Sequence, residues 1–179
     1  IHVWGDLEWR ALEAPGHDMG ALVFHNAEHR LLISGDALWE NGYGLLMPPE
    51  VDARALPAAR ATLEMIAALE IDTVIPGHGE PFGEIDAALE RAFQRTTAFE
   101  ADSVRVARHA LKALLAFKLL ELQRIPLDEV IQFVMRTPVF REFNALYFRR
   151  DPPALAQMLV SELERAGAAR VDGGMLLPR

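Results

Sequence analysis

The chain of 179 residues contains no cysteine. That absence excludes a disulfide scaffold, thiolate zinc fingers, iron–sulfur clusters and cysteine nucleophiles. Any bound metal must therefore rest on histidine and carboxylate. No apolar run reaches the roughly 18 residues that a membrane-crossing helix needs. Lysine is absent from residues 1–95, which hold 6 Arg against 16 Asp and Glu. Such an acidic stretch offers no electrostatic footprint for a phosphate backbone. The first residue is Ile1, and no charged n-region, apolar h-region and cleavage pattern follows it. The expectation is a chain that starts inside a longer one.

What is present suits a folded protein. With 51% hydrophobic and 25% charged residues, disorder and low-complexity repeats are excluded. Residues 96–179 hold 12 Lys and Arg against 10 acidic residues, a mildly basic half beside a strongly acidic one. That shift predicts two domains, 1–95 and 96–179.

Leu7–Ala14 reads as a strand closed by Pro15-Gly16. Gly20–His25 and Arg30–Ser34 are apolar runs separated by four residues, the length of a hairpin connection. A Gly- and Pro-rich loop runs from Trp39 to about Glu50. Leu56, Leu63, Ile66, Ala67 and Leu69 then mark one face of a helix from Arg54 to Glu70, and Ile71–Ile75 reads as a buried strand. This order predicts an α/β layer arrangement. The remainder reads as helical: a long segment from Ile85 to Leu122, broken between Thr97 and Ser103, and a helix with Pro126 in its first turn. A short helix around Arg141–Phe148 follows, then one capped by Asp151. Ala169–Val171 and Met175–Leu177 close the chain as a hairpin. Helices ended by a hairpin predict a winged-helix-like module.

Three strand-end loops carry the residues that suit chemistry: His17, Asp36 and His78. Each has a glycine beside it or close by in the loop, which lets the backbone approach a bound group. Ends of strands in an α/β sheet are where loops converge into sites. Two imidazoles and a carboxylate suit a borderline cation such as zinc. Taken singly, each motif is an ordinary turn, and the residues alone leave that reading open.

Ala14-Pro15-Gly16-His17-Asp18-Met19-Gly20, Ser34-Gly35-Asp36-Ala37-Leu38 and Val74-Ile75-Pro76-Gly77-His78-Gly79 together resemble the metallo-β-lactamase superfamily. They are similar to its latter three metal-binding motifs, in order and spaced by 19 and 42 residues. Gly35-Asp36-Ala37-Leu38-Trp39 looks most like the glyoxalase-II-like branch, and residues 96–179 are similar to the winged-helix extension of some members. The resemblance implies the C-terminal half of an αββα sandwich followed by a mostly helical domain. It implies that His17 binds one metal, His78 a second, and Asp36 bridges both as the catalytic carboxylate. Two zinc ions are the expected cofactors, and iron or manganese suits the same donors. Such a pair activates water to attack an ester, thioester, amide or phosphodiester. Trp39 and Tyr43, on the loop after Asp36, either line the substrate cleft or pack within the loop.

The family's first metal motif, His-x-His-x-Asp-His, has no counterpart: the six histidines are 2, 17, 25, 29, 78 and 109, and no two are spaced by two. Three ligands do not make a dinuclear site, so the chain alone is expected to be inactive and to hold zinc weakly or not at all. Asp18 and Glu80 are either partners of the ligands or exposed loop carboxylates. His25-Asn26-Ala27-Glu28-His29 matches the inverted zincin letters, but that chemistry needs a helix, and these residues span a turn. They are expected on the surface of the hairpin. Asp151–Gly167, the candidate recognition helix, has a single arginine, so nucleic acid is not an expected partner. The expected setting is cytoplasmic, without a membrane, on a small-molecule substrate, with self-association through an exposed sheet. A non-enzymatic protein whose helical part binds a partner is the alternative.

Overall fold

The computed structural model describes residues 1–179 and divides into two compact units, Ile1–Val106 and Ala107–Arg179. The first unit is built on a five-stranded sheet in the order β1 (His2–Trp4), β2 (Leu7–Glu13), β3 (Leu22–Asn26), β4 (Leu31–Gly35), β5 (Thr73–Pro76). The first four strands run antiparallel in succession. β5 returns parallel to β4 after a crossover through α1 (Ala55–Ala67). A parallel neighbour cannot be reached by a tight turn, so the helix is what the topology requires.

The register fixes which side chains share a face. Leu12 lies opposite Val23, His25 opposite Leu32, and Leu32 opposite Val74. Alternation then puts Leu12, Val23, Leu32 and Val74 on one side of the sheet. Val23, Leu32 and Val74 are fully buried there, in one cluster with Leu56, Ala59, Leu63 and Ile66 of α1. These four helical residues follow the three- and four-residue spacing of a single helix face. A second helix, α2 (Ile85–Ala101), adds Ala88, Leu89, Ala92 and Phe99 to the same cluster. On the opposite side of the sheet Trp9 is buried, but Trp4, Leu22 and Ile75 are exposed.

α2 stops at Asp102, whose backbone is extended and whose Oδ1 accepts the Val104 amide at 3.0 Å. α3 (Ser103–Leu122) begins there, so the expected break lies at one residue. The boundary expected near residue 95 falls inside α2. The compact units divide instead at Val106, because α2 is tied to α1: Arg60 pairs with Glu100 and donates to Thr97 Oγ1. This cation pulls the Glu100 carboxyl below its ordinary range.

The second unit holds β6 (Ile125–Pro126), α4 (Leu127–Arg136), α5 (Pro138–Phe143), a π-helical turn (Asn144–Phe148), α6 (Pro152–Arg165), β7 (Ala169–Asp172) and β8 (Met175–Pro178). Its sheet runs β6-β8-β7. Pro126 ends β6 and caps α4, rather than lying inside the helix. Asp151 Oδ1 accepts the Ala154 amide at 2.8 Å and starts α6, as its sequence suggests. Leu155, Ala156, Leu159, Val160 and Leu163 of α6 are buried. No helix is long and apolar enough to cross a membrane.

Candidate metal centre

His17 stands on the β2–β3 connection, Asp36 immediately after β4, and His78 just beyond β5. Parallel pairing of β4 and β5 brings the last two together, and the ladder continues past the strands: the Gly77 amide donates to Gly35 O at 2.8 Å. The His17 loop closes on itself through the Ala14 amide and Ala21 carbonyl, 2.9 Å apart. Thr62 of α1 anchors it by donating to Pro15 O at 2.8 Å.

The three side chains meet at Asp36. Its Oδ2 lies 3.4 Å from His17 Nε2, and its Oδ1 lies 3.8 Å from His78 Nε2. His17 Nδ1 is 2.6 Å from Leu45 O. A carbonyl only accepts, so Nδ1 donates there and Nε2 is the ring nitrogen that faces the carboxylate. The side chains are 39%, 32% and 59% exposed for His17, Asp36 and His78, so a ligand can reach all three from solvent.

Two glycines make this approach possible. A Cβ on Gly44 would fall 2.7 Å from His17 Cγ and 2.8 Å from Asp36 Cβ, and one on Gly77 would fall 2.8 Å from Asp36 Oδ1. The Gly44 amide also donates to Asp36 O at 2.7 Å, which pins the 39–44 loop beneath the carboxylate. Their signal in the sequence is the spacing in Gly42-Tyr43-Gly44 and the Pro76-Gly77-His78 step.

Tetrahedral zinc with bonds of about 2.1 Å holds neighbouring donor atoms about 3.4 Å apart. The His17–Asp36 pair matches that edge and the His78–Asp36 pair is slightly wider. One carboxylate oxygen addressing each imidazole suits a bridging ligand. No three such donors converge on one point, so each position has two donors from this chain. The donor set fits two half-built positions.

The other expected site residues, Trp39 and Tyr43, lie on the loop after Asp36. Tyr43 is 3% exposed within the core cluster, its hydroxyl 3.0 Å from Thr96 Oγ1, and it lines a small pocket with His17 and Asp36. Burial pushes its phenol above the ordinary value. Arg95 stacks over the Tyr43 ring, and burial holds its own pKa below the usual value. Trp39 is half-buried, with its indole N–H directed at Asp36. Asp18 accepts the Gly20 amide of its own turn at 2.7 Å. His25 is buried rather than on the surface, its Nε2 3.1 Å from Glu70 O, so the zincin letters span a strand end and a turn. Arg91 and Arg95, which reach from α2 to the carbonyls of Glu40 and Asn41, stand some fifty residues from them and carry no local signal of that role.

Residues 1–78 match the family model of the metallo-beta-lactamase superfamily. Over 92 residues the chain is 30% identical to the probable metallo-hydrolase YqjP of Bacillus subtilis, a match covering 49% of this chain and 29% of that protein. It is 27% identical over 79 residues to acyl-coenzyme A thioesterase MBLAC2 of Gallus gallus, covering 44% and 28%. Among solved structures, a beta-lactamase domain protein from Burkholderia ambifaria aligns with 98% of this chain and 48% of its own, at 17% identity and a TM-score of 0.48. The chain thus spans under a third of the length of these curated relatives. The match to that family model ends at His78 and encloses all three convergent side chains.

Proposed function

We propose that this chain carries part of the metal centre of a hydrolase, with His17 on one divalent cation, His78 on a second and Asp36 between them. The observation that carries the reading is the division of labour on one carboxylate, whose two oxygens each address a different imidazole. Zinc is the cation we favour, and iron or manganese fits the same donors. Bound there, the cations would polarise the electrophilic carbonyl and lower the pKa of water toward neutrality.

The chain's own residues prepare that chemistry. Leu45 O fixes the His17 tautomer, which keeps Nε2 available as a donor. The Gly44 amide and the Trp39 indole hold the backbone and side chain of Asp36. The relatives' names, a metallo-hydrolase and an acyl-coenzyme A thioesterase, support an ester or thioester as the substrate class. The Gly35–Trp39 stretch supports the glyoxalase-II-like branch.

With two donors from this chain per cation, the 179-residue polypeptide alone is expected to bind zinc weakly and to lack activity. Zinc titration of the purified chain by calorimetry tests this: weak binding is expected, abolished in Asp36→Asn. Tight stoichiometric zinc that survives dialysis would overturn the incomplete-site reading, and zinc binding unchanged in Asp36→Asn would overturn the ligand assignment. We read the second unit as a winged-helix-like module with a packing role, since α6 buries its apolar residues and its Arg165 lies 3.9 Å from Glu162. We also propose self-association through β1, whose outer edge has no partner strand.

A further inference from the structure

Trp39 touches two of the three proposed ligands. Its indole Nε1–H reaches both Gly35 O and Asp36 Oδ1, each at 3.1 Å. Its ring meets the His78 imidazole edge-on, with centroids 5.1 Å apart and planes at 76°. The loop that carries it is braced at three carbonyls. The Trp39 amide donates to Gly42 O at 2.6 Å. Arg91 donates twice to Glu40 O, at 3.0 and 2.7 Å, and Arg95 Nη2 donates to Asn41 O at 2.8 Å. Gly42 lies against the Arg95 guanidinium, where any Cβ would overlap it.

This arrangement makes the two oxygens of Asp36 unequal. Oδ1, on the His78 side, already accepts the Trp39 indole N–H. Oδ2, on the His17 side, lies 3.4 Å from the His17 Nε2. A hydrogen bond to a carboxylate oxygen occupies one of its lone pairs and draws charge from it, so Oδ1 is the poorer donor to a cation. We propose that Trp39 is a positioning residue that orders the loading of the site: a divalent cation enters first between His17 and Asp36 Oδ2, and second between Asp36 Oδ1 and His78. The proposal rests on the ligand assignment above and adds to it an asymmetry that the ligands alone do not have.

The test is a titration of the ¹⁵N-labelled 179-residue chain with zinc alone, followed by nuclear magnetic resonance of the imidazoles and the indole N–H groups. In the wild-type chain the His17 ring signals should move at about tenfold lower free zinc than those of His78 and the Trp39 indole, the size of effect expected from one charge-assisted hydrogen bond. Trp39→Phe keeps an aromatic ring beside His78 and lacks the N–H, so it should bring His78 to within about threefold of His17. If both imidazoles move together in the wild-type chain, or if Trp39→Phe leaves the gap unchanged, the ordering role is refuted while the ligand assignment stands. If neither imidazole moves up to millimolar zinc, the ligand assignment falls and the ordering falls with it. The wild-type order refutes the proposal by itself, whether or not Trp39→Phe folds.

Discussion

The Tyr43–Thr96 pair connects the 39–44 loop to α2, and the direction of its hydrogen bond follows from the neighbouring bonds. Thr96 Oγ1 donates its only proton to Ala92 O at 2.9 Å, so in the 3.0 Å contact Tyr43 must be the donor. Both residues are buried, at 0% and 3% exposure for Thr96 and Tyr43. Tyr43→Phe removes the donor and leaves Thr96 with its bond to Ala92. That is the loss of an ordinary hydrogen bond, about 1 kcal/mol. Thr96→Val is worse, because the phenolic proton stays buried with no acceptor, which costs about 2–3 kcal/mol. In the double variant neither orphan remains, so its cost should not exceed that of Thr96→Val alone.

Urea unfolding followed by tryptophan fluorescence measures this, since Trp4, Trp9 and Trp39 all lie in the first unit and report on it. The expected order of destabilisation is Thr96→Val above Tyr43→Phe, with a strongly non-additive double variant. Equal costs, the reverse order or simple additivity would refute the assigned direction. Loss of the pair should also loosen Gly44 and through it Asp36, so zinc affinity should fall with stability.

Burial raises the Tyr43 phenol above its ordinary value of 10.0, so the unfolded chain releases this proton first. Stability of the first unit should therefore decline as pH rises above about 10, and Tyr43→Phe should flatten that decline in urea melts run across the range. Gly44→Ala and Gly77→Ala should each weaken zinc binding about tenfold or more, because the added methyl meets His17, Asp36 or the Gly35 backbone. Gly20→Ala, whose methyl meets only Asp18 Oδ1 at 3.5 Å, should leave calorimetric zinc binding unchanged. Gel filtration should show the chain above its monomer mass, with Val3→Lys on the exposed edge strand restoring the monomer. A wild-type monomer at tens of micromolar would remove that expectation.

The hairpin of β3 and β4, the α1 crossover and the capped start of α6 were legible because each rests on a local rule: apolar alternation, three- and four-residue spacing, or an Asp before Pro-Pro. β1 and β6 were not, since strands of three and two residues are too short to show a period. The domain boundary was displaced for a different reason. Charge composition changes where surface residues change, whereas the units divide where packing ends, and the Arg60–Glu100 pair holds α2 to α1 beyond residue 95.

At the site, the three proposed ligands stood out because each occupies a glycine-flanked strand end, a local pattern. The roles of Tyr43 and Trp39 depend on how the 39–44 loop closes, which is set by Arg91 and Arg95, some fifty residues away. An aromatic residue beside glycines reads equally as a substrate contact or as packing until that closure is known. For Trp39 the sequence holds the spacing alone, with Gly35 and Asp36 four and three residues before it, and the structure adds the Trp39–Gly42 bridge that closes a tight turn. In such a turn a long side chain folds back over the preceding strand end. An indole there has one donor to place, and the nearest acceptors are the carbonyl and carboxylate of the Gly-Asp step.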